Sequence, residues 1–475
     1  MNAEEPLLVS AADYTYYETV DNDEPNYQVC AKSELKYLIK ALIPLLITFG
    51  LQYSIYITAI YACGRLGAHE IAAASLALCT FSITGMAIIQ GFATSLDSSC
   101  SQAFSSGNIT GVGVYLQRCI LMIFTVLLPM SFVWWFSAPI LNLMVPDPKL
   151  AQMTQTFLRI NILAVPGIVL FESGKRFLQA QHIYNAGTYI LYIATPINFL
   201  LHWLLVWHPT YGLGFIGSPI SIAITNNLLP VLMICYVYFI DGKQCWGGFD
   251  FEKATSNWLP MLHLSIPGVI MIEAEYLAFE VLTILAASFG TEALAAQSVT
   301  ANVSSLSFQL PFSIAVAVST RIGHWLGKEN LQASRLVTKL SSGLAIVVAC
   351  SIWVTLFTNR DSIARIFSND EEVIALTDKV LAVAAFNQLF DGLNVIGAGI
   401  LRGQGRQKIG SIVNLISYYL VGIPLSYIIG FHTNVGFLGL WYGLVCGVMF
   451  LTIVQSFAIY VSNWDKILIQ SKSRR

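Results

Sequence analysis

Three glutamates, Glu273, Glu275 and Glu280, lie within one apolar run, SIPGVIMIEAEYLAFEVLTILAASF. Asp391 sits inside another, FNQLFDGLNVIGAGI, and Glu292 opens a third. Apolar runs of that length read as helices at membrane depth, where a charged group costs several kcal/mol and is kept for a function. Carboxylates crowded together with little water can take up and release a proton, and when ionised they attract a cation. A proton and an organic cation would then compete for one site. On an ideal helix Glu273 and Glu280 share a face, whereas Glu275 lies well round from Glu280, so all three converge only if the helix is distorted after Pro267. Tyr276 and Phe279, beside them, could add cation–π contacts.

Other chemistries find less support. The nine cysteines show no CxxC spacing and read as small embedded side chains. His182, His202, His263 and His324 show no ligand spacing, and the expectation for each is a satisfied or interfacial histidine. No nucleophile–base pair appears, so neither an enzyme nor a bound cofactor or metal is expected.

The elements that must carry these groups follow from composition. Charged residues make up 11% of the 475, against about 25% in a soluble domain, and hydrophobic residues make up 56%. With no water available to bond a free backbone, the helix-length runs must span as helices. The expected fold is an all-α membrane protein with twelve transmembrane helices. Spans are expected near 38–63, 69–96, 115–137, 151–171, 186–206 and 213–240, then 258–288, 292–318, 334–357, 373–400, 410–431 and 435–462. This divides the chain into an acidic disordered tail (1–36), an N-terminal lobe (37–241), an inter-lobe loop (242–257), a C-terminal lobe (258–462) and a second tail (463–475). Loops on the side of the termini hold most of the Lys and Arg, among them Lys175, Arg176, Arg321, Lys328, Arg402 and Arg406. The positive-inside rule therefore puts both termini in the cytoplasm. A net charge of -2 gives no basic surface for nucleic acid. The lipid bilayer and a small-molecule substrate are the expected partners of a monomer.

The chain also matches itself. Pro44 pairs with Pro267, an offset of 267 − 44 = 223 residues, and at that offset Gln52-Tyr53 meets Glu275-Tyr276, GAHEIAAAS meets GTEALAAQS, and Gln181 meets Gln404. After one residue of slippage GFIG meets GFLG. Two six-helix units entering the membrane in the same direction imply two pseudo-symmetric lobes around a central cavity, as in a transporter. The acidic cluster breaks the repeat: the first-half counterparts of Glu275, Glu280, Glu292 and Asp391 are Gln52, Ile57, His69 and Ile168. In the first half Asp97 and Glu172 are expected near the cytosolic ends of their spans, within reach of water or of Arg118, Lys175 and Arg176.

The residues themselves resemble the multidrug and toxic compound extrusion (MATE) family, in its eukaryotic branch. The resemblance runs from Ser33 to Trp464 and rests on GRLGAHEIAAASLA, GFATSLDSSCSQAFSSGN, KRFLQAQ, EYLAFE, EALAAQS, PFSIAVAVSTRIGHWLG and LRGQGRQKIG. It implies a secondary antiporter exporting organic, often cationic, or xenobiotic compounds by alternating access. The coupling ion is a proton gradient, with sodium as the alternative. It also implies coupling residues at Glu275, Glu280, Asp391 and Glu292; from the residues themselves, Gln52, Tyr276, Phe279 and Glu273 are candidate substrate contacts. Two departures from the family pattern stand out: Ala59 where many prokaryotic members have an aspartate, and Glu275-Tyr276-Leu277 in place of a tryptophan-rich turn. A related fold would serve a lipid-linked oligosaccharide flippase, which needs basic residues in its lumen; none is expected deep in these spans. The EEPLL stretch at 4–8 loosely resembles a sorting signal, leaving the vacuolar and plasma membranes as candidate locations.

Overall fold

A computed structural model of the chain describes residues 30–144, 147–367 and 370–474. Most of the tail expected at 1–36, with its EEPLL stretch, lies outside the described residues. Among the described residues twelve long helices follow one another: α1 (Ala31–Gly64), α2 (Ala68–Ser105), α3 (Ile109–Trp135), α4 (Pro148–Ala180), α5 (Asn185–Trp207) and α6 (Gly214–Phe239) form lobe 1. Lobe 2 contains α7 (Leu259–Ala287), α8 (Thr291–Gly327), α9 (Leu331–Thr358), α10 (Glu371–Gly403), α11 (Gln407–His432) and α12 (Leu438–Tyr460). Eleven of them are long and apolar enough to cross a membrane. The twelfth, α7, has 29 residues, or about 43 Å at 1.5 Å per residue, and carries three glutamates and His263.

Several helices run past their expected ends on the face of the bundle where the termini lie. α2 continues to Ser105, α4 to Ala180 and α8 to Gly327, so Asp97, Glu172, Lys175, Arg176, Arg321 and His324 are all helical. The apolar run stops earlier than the helix because these polar groups find partners on neighbouring helices and do not need water. The first helix likewise starts at Ala31, inside the segment expected to be a tail, with Glu34 in the first turn, where a carboxylate suits the helix dipole.

Two further expectations change. The inter-lobe stretch contains a short helix, Phe251–Thr255, started by the Asp250 carboxylate, which accepts from the Lys253 amide at 3.0 Å. Within the segment 463–475, expected as a tail, Trp464–Arg474 fold as α13, in which Trp464 and Ile467, three apart, bury one face in the core.

One apolar core fills lobe 1, and another joins α7, α8, α10, α11 and α12 of lobe 2. A third mixes the lobes near the terminal face, packing Leu38, Leu45 and Phe49 of α1 with Phe312 and Ile322 of α8. Between α2 and α7 the backbones touch: a Cβ on Gly268 would stand 2.7 Å from the Gly91 carbonyl oxygen. Only glycine permits that approach, and small residues are how membrane helices pack closely.

Candidate functional site

The acidic residues of lobe 2 divide between two directions. Glu275 on α7 and Asp391 on α10 lie within electrostatic range inside lobe 2. Tyr418, in a π-helical turn of α11, lies within reach of both. Such turns shift the register of a helix and recur at functional positions. Asp391 is buried, at 2% exposure, and among the described residues its Oδ1 has no hydrogen-bond partner. The amides of Asn387, Gln388 and Asn394 line the same helix and also leave polar atoms unpaired among the described residues. Glu280 points elsewhere: its Oε1 accepts from the Cys79 thiol of α2 at 2.7 Å, across the lobe boundary. The ideal-helix expectation that Glu275 and Glu280 diverge therefore describes the structure, and Pro267 does not bring them together.

Glu273 is partly buried, with its Oε2 unpaired among the described residues, and lies on the side of Tyr276 and Tyr419. Glu292 is exposed in the first turn of α8, where its Oε1 accepts from the Thr291 hydroxyl at 3.1 Å, apart from the other carboxylates. Phe279 meets Trp441 edge-on at 6.3 Å and packs in the lobe 2 core. Tyr276 stands at the boundary, within electrostatic range of Glu275 and Glu273 in its own lobe and of Glu172 and Tyr53 in the other.

Lobe 1 holds a different arrangement. Glu172 and Lys175, one turn apart on α4, form an ion pair at 2.8 Å with side chains only 1% and 2% exposed. Gln52 of α1 clasps both, donating Nε2 to Glu172 at 2.6 Å and accepting from Lys175 Nζ at 2.7 Å. One donor and one acceptor of the amide are thus engaged by the pair. Lys175 also lies 5.0 and 5.1 Å from the Phe49 and Phe171 ring centroids. Arg176 meets Asp97 of α2 at 2.9 Å, again fully out of solvent. Sequence reasoning named these partners but placed them near water; all four are buried.

No basic cluster was expected deep in the spans; Lys175, Arg176 and Arg402 lie in the last turns of α4 and α10 at the terminal face and are buried there, at 3%, 2% and 5% exposed. Glu172 and Asp97 neutralise the first two, while Arg402 leaves Nε and Nη2 unpaired among the described residues. Sequence reasoning also missed Tyr418, Cys79 and the amides beside Asp391. Run-on polarity in FNQLFDGLN signals the amides; nothing local to Tyr418 or Cys79 marks them. Among the described residues no group of three His, Cys, Asp or Glu side chains could hold a metal ion.

Comparison with known proteins gives this geometry a family. The profile of the MatE family matches twice, at residues 44–204 and 267–428. The two starts are 267 − 44 = 223 residues apart, which reproduces the internal offset, and the two ends are 428 − 204 = 224 apart. An uncharacterized transporter of Saccharomyces cerevisiae is 38% identical over 461 residues, covering 96% of this chain, which spans 66% of that relative's length. The human multidrug and toxin extrusion protein 1 is 30% identical over 450 residues, 93% of this chain and 77% of its own. The crystal structure of the eukaryotic MATE transporter AtDTX14 superposes with a TM-score of 0.86 at 26% identity, covering 94% of this chain and 98% of that one. Duplicated profile, two-lobed helical fold and relatives agree: this chain belongs to the MATE family of transporters.

Proposed function

We propose that the chain is a secondary active antiporter that exports organic, often cationic, or xenobiotic compounds in exchange for protons by alternating access. The observation that carries the proposal is an asymmetry of neutralisation. In lobe 1 each buried carboxylate has a basic partner within 3 Å. In lobe 2 Glu275 lies within electrostatic range of Asp391 instead, and among the described residues neither has an ion-pair partner. Two like charges held in low dielectric repel strongly, so binding either a proton or a cation relieves the site. Glu280, tied to α2 through Cys79, is the carboxylate best placed to sense movement between the lobes. Tyr276 lines the boundary through which a substrate would pass.

In this reading both termini are cytoplasmic and the membrane is vacuolar or plasma membrane. The human relative's name, multidrug and toxin extrusion protein 1, supports the substrate class. Uptake of a fluorescent organic cation into proteoliposomes tests the proposal. Transport should follow an imposed pH gradient, survive removal of sodium, and disappear in Asp391→Asn at unchanged protein incorporation. Indifference to the pH gradient would remove proton exchange from the mechanism.

A second reading, a flippase for a lipid-linked anionic headgroup, draws on Arg402, which is buried with two nitrogens unpaired among the described residues. It predicts that a pyrophosphate-bearing lipid competes with the fluorescent cation and that Arg402→Gln abolishes the competition.

A further inference from the structure

At the terminal face the lobes meet through two histidines. His182, in the turn between α4 and α5 of lobe 1, places Nε2 3.1 Å from Nδ1 of His324 on α8 of lobe 2. The rings meet edge-on with centroids 4.6 Å apart. Tyr37 Oη lies 2.6 Å from the other nitrogen of His182, and Ser105 Oγ lies 2.7 Å from Nδ1 of His324. A nitrogen–nitrogen contact of this length needs one hydrogen between the two rings. Two imidazolium rings would set N–H against N–H, so the contact survives with at most one extra proton on the pair.

The backbone at His182 adds an independent mark. Its φ is +65°, in the left-handed region that non-glycine residues seldom enter. The repeat offset places Gly405 at the corresponding position, since 182 + 223 = 405, and Gly405 has φ +69°. Where lobe 2 uses glycine at no steric cost, lobe 1 holds a histidine against the steric preference of an L side chain. Strain of this kind points to a role for the side chain that bears it.

We propose that His182 and His324 form a proton-linked gate at the terminal face, closed while the pair is neutral and opened when both rings take up protons. The surroundings agree. Arg321 and Lys328 place positive charge beside the pair, and Arg321 is itself held by Glu34 of α1 in a buried ion pair. Tyr37 and Tyr184 are hydrogen-bonded to each other at 3.0 Å on the lobe 1 side, and Asp97 acts on Tyr184 from α2. Burial, with Arg321 and Lys328, pushes His182 down to about 3. A group whose affinity for protons is lower in the closed state stabilises that state at higher pH and releases it as pH falls. Once the lobes part, each histidine returns towards an ordinary value near 6.5 and can be charged.

The gate goes beyond the antiport reading and is tested without a transport assay. Hydrogen–deuterium exchange of segments 100–107, 180–184 and 320–328 is measured in nanodiscs at pH 7.5 and 5.5 and corrected for intrinsic exchange rates. With one histidine taking up a proton on opening, the wild type should open about tenfold more at pH 5.5, and with two, about a hundredfold. In His182→Gly/His324→Gln the response should fall below about twofold. Glycine is the residue the repeat itself uses at that turn, so the fold tolerates the change. Asp391→Asn should retain the wild-type response, separating this gate from the acidic site. A wild-type response below twofold, a response above twofold in the double variant, or loss of the response in Asp391→Asn would overturn the proposal.

Discussion

Arg321 of α8 grips Glu34 of α1 at two points, Nε to Oε2 at 2.7 Å and Nη2 to Oε1 at 2.5 Å, joining the lobes through a carboxylate that is 1% exposed. The guanidinium is also stacked 4.2 Å from the Tyr37 ring and 4.7 Å from Trp325. Removing one partner of such a pair leaves the other charge buried, at a cost of about 3–5 kcal/mol. Glu34→Ala should therefore lower the melting temperature in detergent sharply, while Glu34→Leu/Arg321→Met should recover most of the loss. Equal melting temperatures for Glu34→Ala and wild type would show that the pair contributes nothing.

Glu172 and Lys175 should behave as one unit. Either Glu172→Gln or Lys175→Met alone strands a charge that Gln52 cannot neutralise. Both together leave a neutral pocket beside Phe49 and Phe171. A double-mutant cycle on thermal stability should return a coupling of about 2 kcal/mol or more, within the range for residues sharing one network. Additive losses would mean that the two side chains act separately.

Substrate charge can be separated from proton handling at Glu275. An amine-type cation should compete with a transported dye better than a neutral analogue of similar size, and Glu275→Gln should narrow the gap by about tenfold, or about 1.4 kcal/mol. If cation and neutral analogue compete equally in wild type, the acidic site serves protons alone.

Membrane orientation follows from the loop charges. An epitope placed between Asp147 and Lys149 should be labelled on intact cells or on the luminal side of vesicles, and one after Arg475 only after permeabilisation. Opposite labelling would reverse the proposed topology.

Much of this architecture was written in the spacing of apolar residues and in the repeat. Pro44 and Pro267 predicted the duplication that the family profile later matched at those very residues. The divergence of Glu275 from Glu280 followed from helical periodicity alone. What local sequence could not carry was partnership. A helix that stays apolar only to residue 96 or 171 looks finished there, yet Asp97 and Glu172 lie beyond those points and are buried because Arg176 and Lys175 meet them inside the lobe. His182 and His324 showed no ligand spacing because their relationship is with each other, across 142 residues of chain. The α13 helix was hidden for the same reason: Trp464 and Ile467 read as a tail until the core they enter is known.

The glutamates of α7 also bear on how the chain is made. A helix that enters the bilayer one segment at a time must balance its own transfer free energy, and central acidic residues count about 2.5–3.5 kcal/mol each against it. With Glu273, Glu275 and Glu280 aboard, α7 is the span least able to partition by itself, and Gly268 seats it directly on Gly91 of the already synthesised α2. Lobe 1 then serves as a docking template during biosynthesis, so in a chain starting at α7 that segment should insert poorly into microsomal membranes, while the same segment following α1–α6 should insert as a span.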